Sequence, residues 1–480
     1  MADHSSASSY SELQEIRKLL WGPYVKEDVF RRWAQGECIS LVTVCSKIRS
    51  VVCVHYLLLN FYTGFYFSKD EPTALVQSEG GPCAVLAPVQ AFILKSLLSE
   101  TVGNNWREVD VDKCNELLIQ AACDILMQAS EHNGGRYVLV HMNNDVGRPT
   151  SPNSVLVNGE EPIENSSAEL IETSAKRQKL EHEYFHAHLR LHPLERVEDV
   201  EAFYFERVET LRETFGVLLL LYSVISTKGV EQIRSEMNDP TEPLIDGTYG
   251  YGSQSLINLM LTGRAVGHVW DHDQDVGGLK LRGIDCQSEV GFLALLEHLR
   301  YCEVGSFLKN PKHPVWVMGS ETHLTVLFSL EKRLVSPETP SEVARRVFKS
   351  FDPEGNNFIS AVLLQDVLRA LQLVSEAEYV EIMTRKLDAE NLGIILLNAF
   401  MEEFFPEEKQ STPDTFTLFH YNGQPRSCPD GRVMYQEGNA VLLECDMKCV
   451  LESNPMLTCL QTKWPNIEVQ WLSGITPSLN

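Results

Sequence analysis

The chain has 480 residues, 44% hydrophobic and 22% charged, which predicts an ordinary soluble globular protein with enough apolar surface for two or three domains. Its 66 acidic residues outnumber 41 basic ones, and the net charge of -25 repels phosphate backbones and anionic lipid headgroups. This balance argues against nucleic acid and membranes as partners and makes a basic protein surface the more natural one.

The sequence predicts neither secretion nor a disulfide framework. The first residues, MADHSSASSYSELQEIRKLL, lack the regions of a signal peptide. The 12 cysteines include no CxxC pair, so most are expected to be reduced and buried. We therefore expect a cytoplasmic or nuclear protein, and the basic patch KRQK at 176–179 is too short to choose between these compartments.

The first part of the chain alternates helical patterns with two unusual segments. Apolar spacing predicts helical regions at 12–34 and 104–130 and a buried strand at 136–142. Residues 37–66 form an atypical apolar insertion, whose uncharged run of about 17 residues is near the lower limit for a membrane span and contains polar side chains. Residues 143–190, rich in Ser, Asn, Glu and Pro, are typical of a flexible surface insertion.

The second part predicts an α+β domain with a helical module inserted into it or appended beside it. Residues 200–229 read as a helix followed by an apolar segment, and a further helix is expected from Ser253 to about Thr262. Two strands are predicted within 313–330, meeting at a glycine. After a mainly helical unit at 341–407, the pattern returns to strands in 408–480.

Cys83 lies where a predicted turn leads into a helix. Two glycines allow a tight turn, and Pro82 suits the first helical turn. The exposed N–H groups of a helix start stabilise a thiolate, so a lowered pKa and a nucleophilic cysteine are expected. Pro88 should kink the helix, which places its regular part after about Ala87. The competing interpretation is an inert core cysteine.

A cysteine nucleophile needs a base and a donor for the oxyanion. His323, within a strand predicted around residues 322–326, is the leading candidate base, although a lone strand histidine is more often structural. Gln77, six residues before Cys83, can supply a side-chain N–H beside the Cys83 backbone N–H. Taken alone, Gln77 is equally a polar loop residue.

Four segments of the sequence resemble the MINDY family of deubiquitinases, in the branch with an EF-hand-like insert. They are QSEGGPCAVLAPVQAFILK, GYGSQSLINLMLTGRAVGHVWD, GSETHLTVLFS and CLQTKWPNIEVQW. The resemblance implies a papain-like cysteine isopeptidase that trims polyubiquitin, with a preference for the linkage that marks proteins for the proteasome. It places the nucleophile on Cys83, the base on His323 and the oxyanion glutamine on Gln77, and it fixes no residue that orients His323.

The resemblance also gives a domain division. Residues 1–340 are expected to form the papain-like catalytic domain, 341–407 a degenerate EF-hand-like pair, and 408–480 the strands that complete the catalytic domain. Ubiquitin and polyubiquitin are the implied partners, no cofactor is implied, and the partner of the EF-hand-like module is left open.

Two motifs offer metal-based alternatives. His182, Glu183 and His186 match HExxH, and His192 stands where a third zinc ligand would lie. The motif, however, directly follows the stretch rich in Ser, Asn, Glu and Pro that runs from 143 to about 179, instead of lying in a firmly predicted helix. A zinc protease is therefore the lesser rival.

The predicted calcium loops begin at Asp352 and Asp388 and keep apolar residues at their pairing positions, but the twelfth residues are Leu363 and Ala399 instead of the bidentate Glu. We expect this module to have lost useful calcium affinity. A catalytically inactive ubiquitin-binding or EF-hand scaffold is the other alternative to an active thiol hydrolase.

Overall fold

A computed structural model describes residues 2–34, 64–100, 105–143, 182–336, 339–352, 356–406, 412–443 and 454–480. It contains two compact units, Met1–Leu330 with Thr417–Asn480 and Glu331–Phe416. Most of the apolar insertion predicted at 37–66 and of the flexible insertion predicted at 143–190 lies outside the described residues.

The elements are numbered along the chain. The helices are α1 (Ala2–Trp21), α2 (Glu27–Trp33), α3 (Cys83–Glu100), α4 (Val111–Ser130), α5 (182–188), α6 (Val197–Glu206), α7 (Glu209–Arg212), α8 (Gly216–Lys228), α9 (Val230–Glu236), α10 (Gln254–Thr262), α11 (Leu295–His298), α12 (Ser306–Lys309), α13 (Pro340–Ser350), α14 (Leu364–Ala370), α15 (Ala377–Leu387), α16 (Leu397–Phe404) and α17 (Pro455–Gln461). The strands are β1 (Tyr137–Met142), β2 (Leu189–Leu194), β3 (Gln274–Val276), β4 (Leu279–Leu281), β5 (Gly291–Ala294), β6 (Val315–Gly319), β7 (Leu324–Phe328), β8 (Phe358–Ser360), β9 (Ile394–Leu396), β10 (Thr415–Tyr421), β11 (Gln436–Leu442) and β12 (Ile467–Trp471).

The helical region predicted at 12–34 is helical but forms two helices. Helix α1 ends at Trp21, and Gly22 then takes a φ of 70°, a left-handed conformation common after a helix end. Pro23 follows, which cannot continue the helical hydrogen bonding. The apolar residues of the predicted face are buried: Leu13, Ile16, Leu19, Leu20, Val29, Phe30 and Trp33.

Helix α3 is a core helix of the larger unit. It begins at Cys83 and continues through Pro88, so the prediction of a regular helix only after Ala87 is wrong. Proline removes a single backbone hydrogen bond, whereas burial of nearly every residue of α3 stabilises the helix through packing. Among the described residues α3 is also the one helix long and apolar enough to cross a membrane, but 78% of it is buried inside the protein.

Both predicted insertions end in packed structure. Phe65 is fully buried, and its N–H donates to the Leu211 carbonyl at 3.0 Å. Helix α5 and strand β2 occupy 182–194, and β2 pairs antiparallel with β1, the strand predicted at 136–142. The flexible insertion therefore does not extend to residue 190.

A mixed sheet forms the second layer of the larger unit. Its strand order is β12-β11-β10-β7-β6-β5, with β5 and β6 parallel and β7 antiparallel to both β6 and β10. Strands β6 and β7 form the hairpin predicted within 313–330, and α3 packs against both. The predicted α+β class is confirmed, and the start of α3 lies beside the start of β7.

The smaller unit contains two helix–loop–helix segments joined by a short sheet. Ile359 of β8 pairs with Ile395 of β9, and both side chains are buried. The Asp352 carboxylate accepts hydrogen bonds from the backbone N–H groups of Asn356 and Asn357, at 3.1 and 2.6 Å. Asp388 caps its own loop in the same way, so both aspartates hold loop backbone.

Candidate active site

The turn before Cys83 brings two loops into close contact. Gly81 has a φ of +127°, and a Cβ placed there would lie 3.1 Å from both the Gly250 carbonyl oxygen and Trp33 Nε1. Trp33 Nε1 itself donates to the Gly250 carbonyl at 2.8 Å. Only glycine satisfies this conformation and spacing, which fixes Cys83 as the first residue of α3.

The Cys83 thiol is buried, with only 5% of the residue exposed. Its Sγ donates a weak hydrogen bond to the Gly81 carbonyl at 3.7 Å. Burial raises the pKa of the thiol to about 11, although backbone amides, that of Leu324 foremost, act in the opposite direction. The prediction of a lowered pKa is therefore wrong for the free protein, because desolvation outweighs the helix start. The Leu324 contact nevertheless places the sulfur beside the residue that follows His323.

His323 ends the turn before β7, so the prediction that it lies within the strand is wrong. Its N–H donates to Ser320 Oγ at 3.0 Å, and the Ser320 backbone N–H donates to the His323 carbonyl at 3.0 Å. The histidine is 4% exposed. These bonds hold it rigidly at the N-terminal end of β7, next to the N-terminus of α3.

Asn422 orients His323, and sequence reasoning missed it. Its Oδ1 lies 3.1 Å from His323 Nε2 and accepts a hydrogen bond from the Gln424 backbone N–H at 3.0 Å. Its Nδ2 donates to the Ser478 carbonyl at 3.0 Å. Because these partners fix which amide atom faces the ring, His323 Nε2 is the protonated nitrogen. The sequence signal that could have identified Asn422 is an asparagine that follows a late strand, because such a residue completes Cys-His-Asn sites.

Gln424 holds the other ring nitrogen. Its Nε2 donates to His323 Nδ1 at 3.3 Å, and its Oε1 accepts from Arg426 Nε at 3.0 Å. Nδ1 therefore carries the lone pair and is the nitrogen able to take a proton from a thiol. In this free state the thiol and the imidazole each have another partner, the Gly81 carbonyl and the Gln424 amide.

Gln77 joins the same cluster through the backbone. Its N–H donates to the Gly423 carbonyl at 2.8 Å, and its side-chain Nε2 donates to the Glu79 carbonyl at 2.7 Å. The residue is 2% exposed. The segment 422–424 thus contacts both Gln77 and His323, and the structure brings all three predicted site residues together.

The pH dependence follows from the state of His323. Burial lowers its pKa to about 4, from an ordinary value of 6.5, although the Asn422 hydrogen bond raises it. The neutral imidazole, the form that accepts a proton, therefore persists through weakly acidic pH. If His323 acts as the base of a thiol hydrolase, the acid limb of kcat/KM is expected to centre near pH 4, measured from initial rates while circular dichroism monitors folding. A limb near pH 6.5 would contradict a buried, neutral base.

The HExxH residues do not form a zinc site. Helix α5 does carry them, contrary to the sequence argument against a helix, but His186 is bonded at both ring nitrogens, by the His182 carbonyl at 2.9 Å and the Tyr222 hydroxyl at 2.7 Å. Glu183 is exposed, and His192 lies exposed on β2. Over the described part of the chain, no three His, Cys, Asp or Glu side chains are grouped to hold a metal.

Comparison with known proteins identifies the relatives of this chain. A family model described as "Deubiquitinating enzyme MINDY-3/4, conserved domain" matches residues 60–348. The ubiquitin carboxyl-terminal hydrolase MINDY-3 homolog of Drosophila melanogaster is 51% identical over 99% of this chain and 84% of that protein. Human ubiquitin carboxyl-terminal hydrolase MINDY-3 is 44% identical over 98% of this chain and 100% of that protein.

One further relative matches a smaller part of this chain. The probable ubiquitin carboxyl-terminal hydrolase MINDY-4 of Mus musculus is 34% identical over 54% of this chain and 32% of that protein. No solved structure matches at a significant level.

These matches define the class of protein as a deubiquitinating enzyme. The chain belongs to the MINDY-3/4 family, as the resemblance indicated, with a matching domain that contains Gln77, Cys83 and His323.

Proposed function

We propose that this protein trims polyubiquitin by thiol-dependent hydrolysis of isopeptide bonds, with Cys83 as nucleophile, His323 as base and Gln77 as oxyanion donor. The observation that carries the proposal is the neutral His323, protonated on Nε2 by its bond to Asn422 and with Nδ1 as acceptor. A papain-like arrangement is supported by the cysteine at the start of a core helix that packs against the strands beside the histidine.

The reaction proceeds in two halves. His323 Nδ1 takes the Cys83 proton as Sγ attacks the C-terminal carbonyl of ubiquitin, and the negative charge moves to the carbonyl oxygen. Collapse of this intermediate breaks the C–N bond, and Nδ1 returns the proton to the departing lysine amine. Water then attacks the thioester with Nδ1 as base, which releases the ubiquitin carboxylate and restores the thiol.

The Gln77 role predicts a specific loss. Gln77→Ala should lower kcat roughly 10²-fold while changing KM little, because the donor acts on charge that forms in the transition state. Initial rates over a substrate series separate the two constants. The exposed Gln287→Ala is the matched control and should behave as wild type. An unchanged kcat in Gln77→Ala would remove Gln77 from the mechanism.

The finer parts of the proposal concern linkage, the smaller unit and location. The family resemblance supports the linkage that marks proteins for the proteasome, cut from the distal end. The Ile359–Ile395 pairing supports an EF-hand-like module, and Leu363 and Ala399 at the twelfth positions support a loss of calcium binding. The proposed compartment is the cytoplasm, the nucleus or both.

A panel of ubiquitin tetramers, one for each lysine linkage, tests this function. The expected result is stepwise shortening of one linkage type by wild type and by Cys286→Ala, which replaces an exposed cysteine. Chains bound but left intact by folded wild-type protein would instead favour the inactive scaffold.

A further inference from the structure

We propose that residues 478–480 act as a positioning clamp for the catalytic histidine, holding the Asn422 amide in the one orientation that keeps His323 in its active tautomer. The inference rests on the proposed function and extends its site to a segment far from both catalytic residues in sequence. We call residues 478–480 the tail clamp.

The tail clamp binds the amide group of Asn422. Asn422 Nδ2 donates to the Ser478 carbonyl at 3.0 Å and contacts the Asn480 carbonyl at 3.5 Å. Asn422 is 4% exposed, so water has little access to its Nδ2, although Ser478 and Asn480 are themselves exposed. Two carbonyls on the Nδ2 side therefore favour the amide orientation that turns Oδ1 toward His323.

The tail clamp also binds the turn that carries the histidine. Ser320 Oγ donates to Asn480 Oδ1 at 2.5 Å, and Thr322 Oγ1 donates to the same oxygen at 3.3 Å. Ser320 Oγ in turn accepts the His323 N–H at 3.0 Å. One short segment thus joins the backbone of the base to the side chain that orients it.

Burial anchors the tail clamp. Leu479 is 4% exposed, although Ser478, Asn480 and the preceding residues 472–476 are exposed. Strand β12 is the edge strand of the sheet, two strands away from β10, so the chain returns from the edge to dock beside Asn422.

The chemical consequence concerns the tautomer. If the Asn422 amide turned over, its NH₂ would face His323 Nε2, which would have to become an acceptor, and the proton would move to Nδ1. Nδ1 is the nitrogen that must receive the Cys83 proton, so that state is inactive. The Gln424 backbone N–H opposes this rotation of the Asn422 amide through a single hydrogen bond to Oδ1. The tail clamp supplies the remaining hydrogen bonds that oppose it.

Kinetics of wild type, Asn480→Ala and a variant lacking residues 478–480 test the clamp. We expect the deletion to lower kcat roughly 10-fold with KM nearly unchanged, since hydrogen bonds that set an active orientation are lost while ubiquitin binding is untouched. Asn480→Ala should lower kcat less than the deletion does. Asn480→Asp keeps the acceptor for Ser320 and Thr322 and should restore kcat. The exposed Ile475→Ala is the control for general damage to this segment.

A double-mutant cycle separates positioning from general destabilisation. Asn422→Ala should lower kcat, and adding the deletion should produce little further loss, because the clamp acts through Asn422. If the fold losses in kcat from Asn422→Ala and from the deletion multiply in the double variant, the clamp is overturned. A deletion variant with wild-type kcat would also overturn it. An inactive wild-type protein would instead overturn the proposed function, so the two failures are distinguishable.

Discussion

Replacement of Cys83 by alanine is expected to abolish isopeptide hydrolysis, with a loss of about 10⁶-fold that leaves only background, because no other group can form the acyl intermediate. The change removes one sulfur atom from a buried site, so the fold should persist. Binding of ubiquitin chains should remain close to wild type, since only the covalent step is lost. Turnover and chain binding measured on the same preparation check both expectations.

Other cysteines provide the controls for this result. Cys286 is exposed, and Cys302 is half-buried near Glu297 and Lys309, so their alanine variants should retain full turnover. Substantial hydrolysis by Cys83→Ala, with these controls active, would show that another residue is the nucleophile.

The second large effect is expected on stability, at a buried ion pair between α8 and α9. Lys228 Nζ lies 2.8 Å from Glu236 Oε1, and the two side chains are 0% and 1% exposed. Glu236 also accepts hydrogen bonds from Gln232 Nε2 at 2.8 Å and from the Ala265 N–H at 2.7 Å. Lys228→Met leaves this carboxylate buried without its cation and should lower the free energy of unfolding by about 3–5 kcal/mol.

Urea denaturation measures this change. The exposed pair of Arg196 and Asp199 supplies the matched control, and Asp199→Asn should shift the midpoint very little. Changing Lys228 and Glu236 together to apolar residues should destabilise less than Lys228→Met alone, because no unpaired charge is then buried. A wild-type midpoint for Lys228→Met would mean that water reaches Glu236.

Local sequence patterns predicted the parts of the site that local structure determines. The turn before Cys83 and the helix that it begins follow from two glycines and a proline, and the hairpin before and after Gly319 follows from its strand composition. The sequence predicts the helix start at Cys83 but a kink at Pro88 and a regular helix only after about Ala87, whereas burial, which the sequence does not display directly, keeps α3 helical through Pro88.

The remaining features depend on distant parts of the chain. The Cys83 thiol was expected to have a lowered pKa from its place on the helix, but the surrounding core raises the pKa to about 11. Asn422 lies 99 residues after His323 and beyond the smaller unit, so no local spacing connects the two. Tertiary packing alone brings them together, and the same holds for the contacts of residues 478–480.

The proposed mechanism makes Cys83 the nucleophile that forms a covalent bond to ubiquitin. The most direct measurement is the intact mass of the protein after incubation with ubiquitin that carries a C-terminal electrophile, with wild type and Cys83→Ala compared. A single ubiquitin adduct is expected on wild type and none on the variant. No adduct on folded wild-type protein, or an adduct that persists in Cys83→Ala, would contradict it.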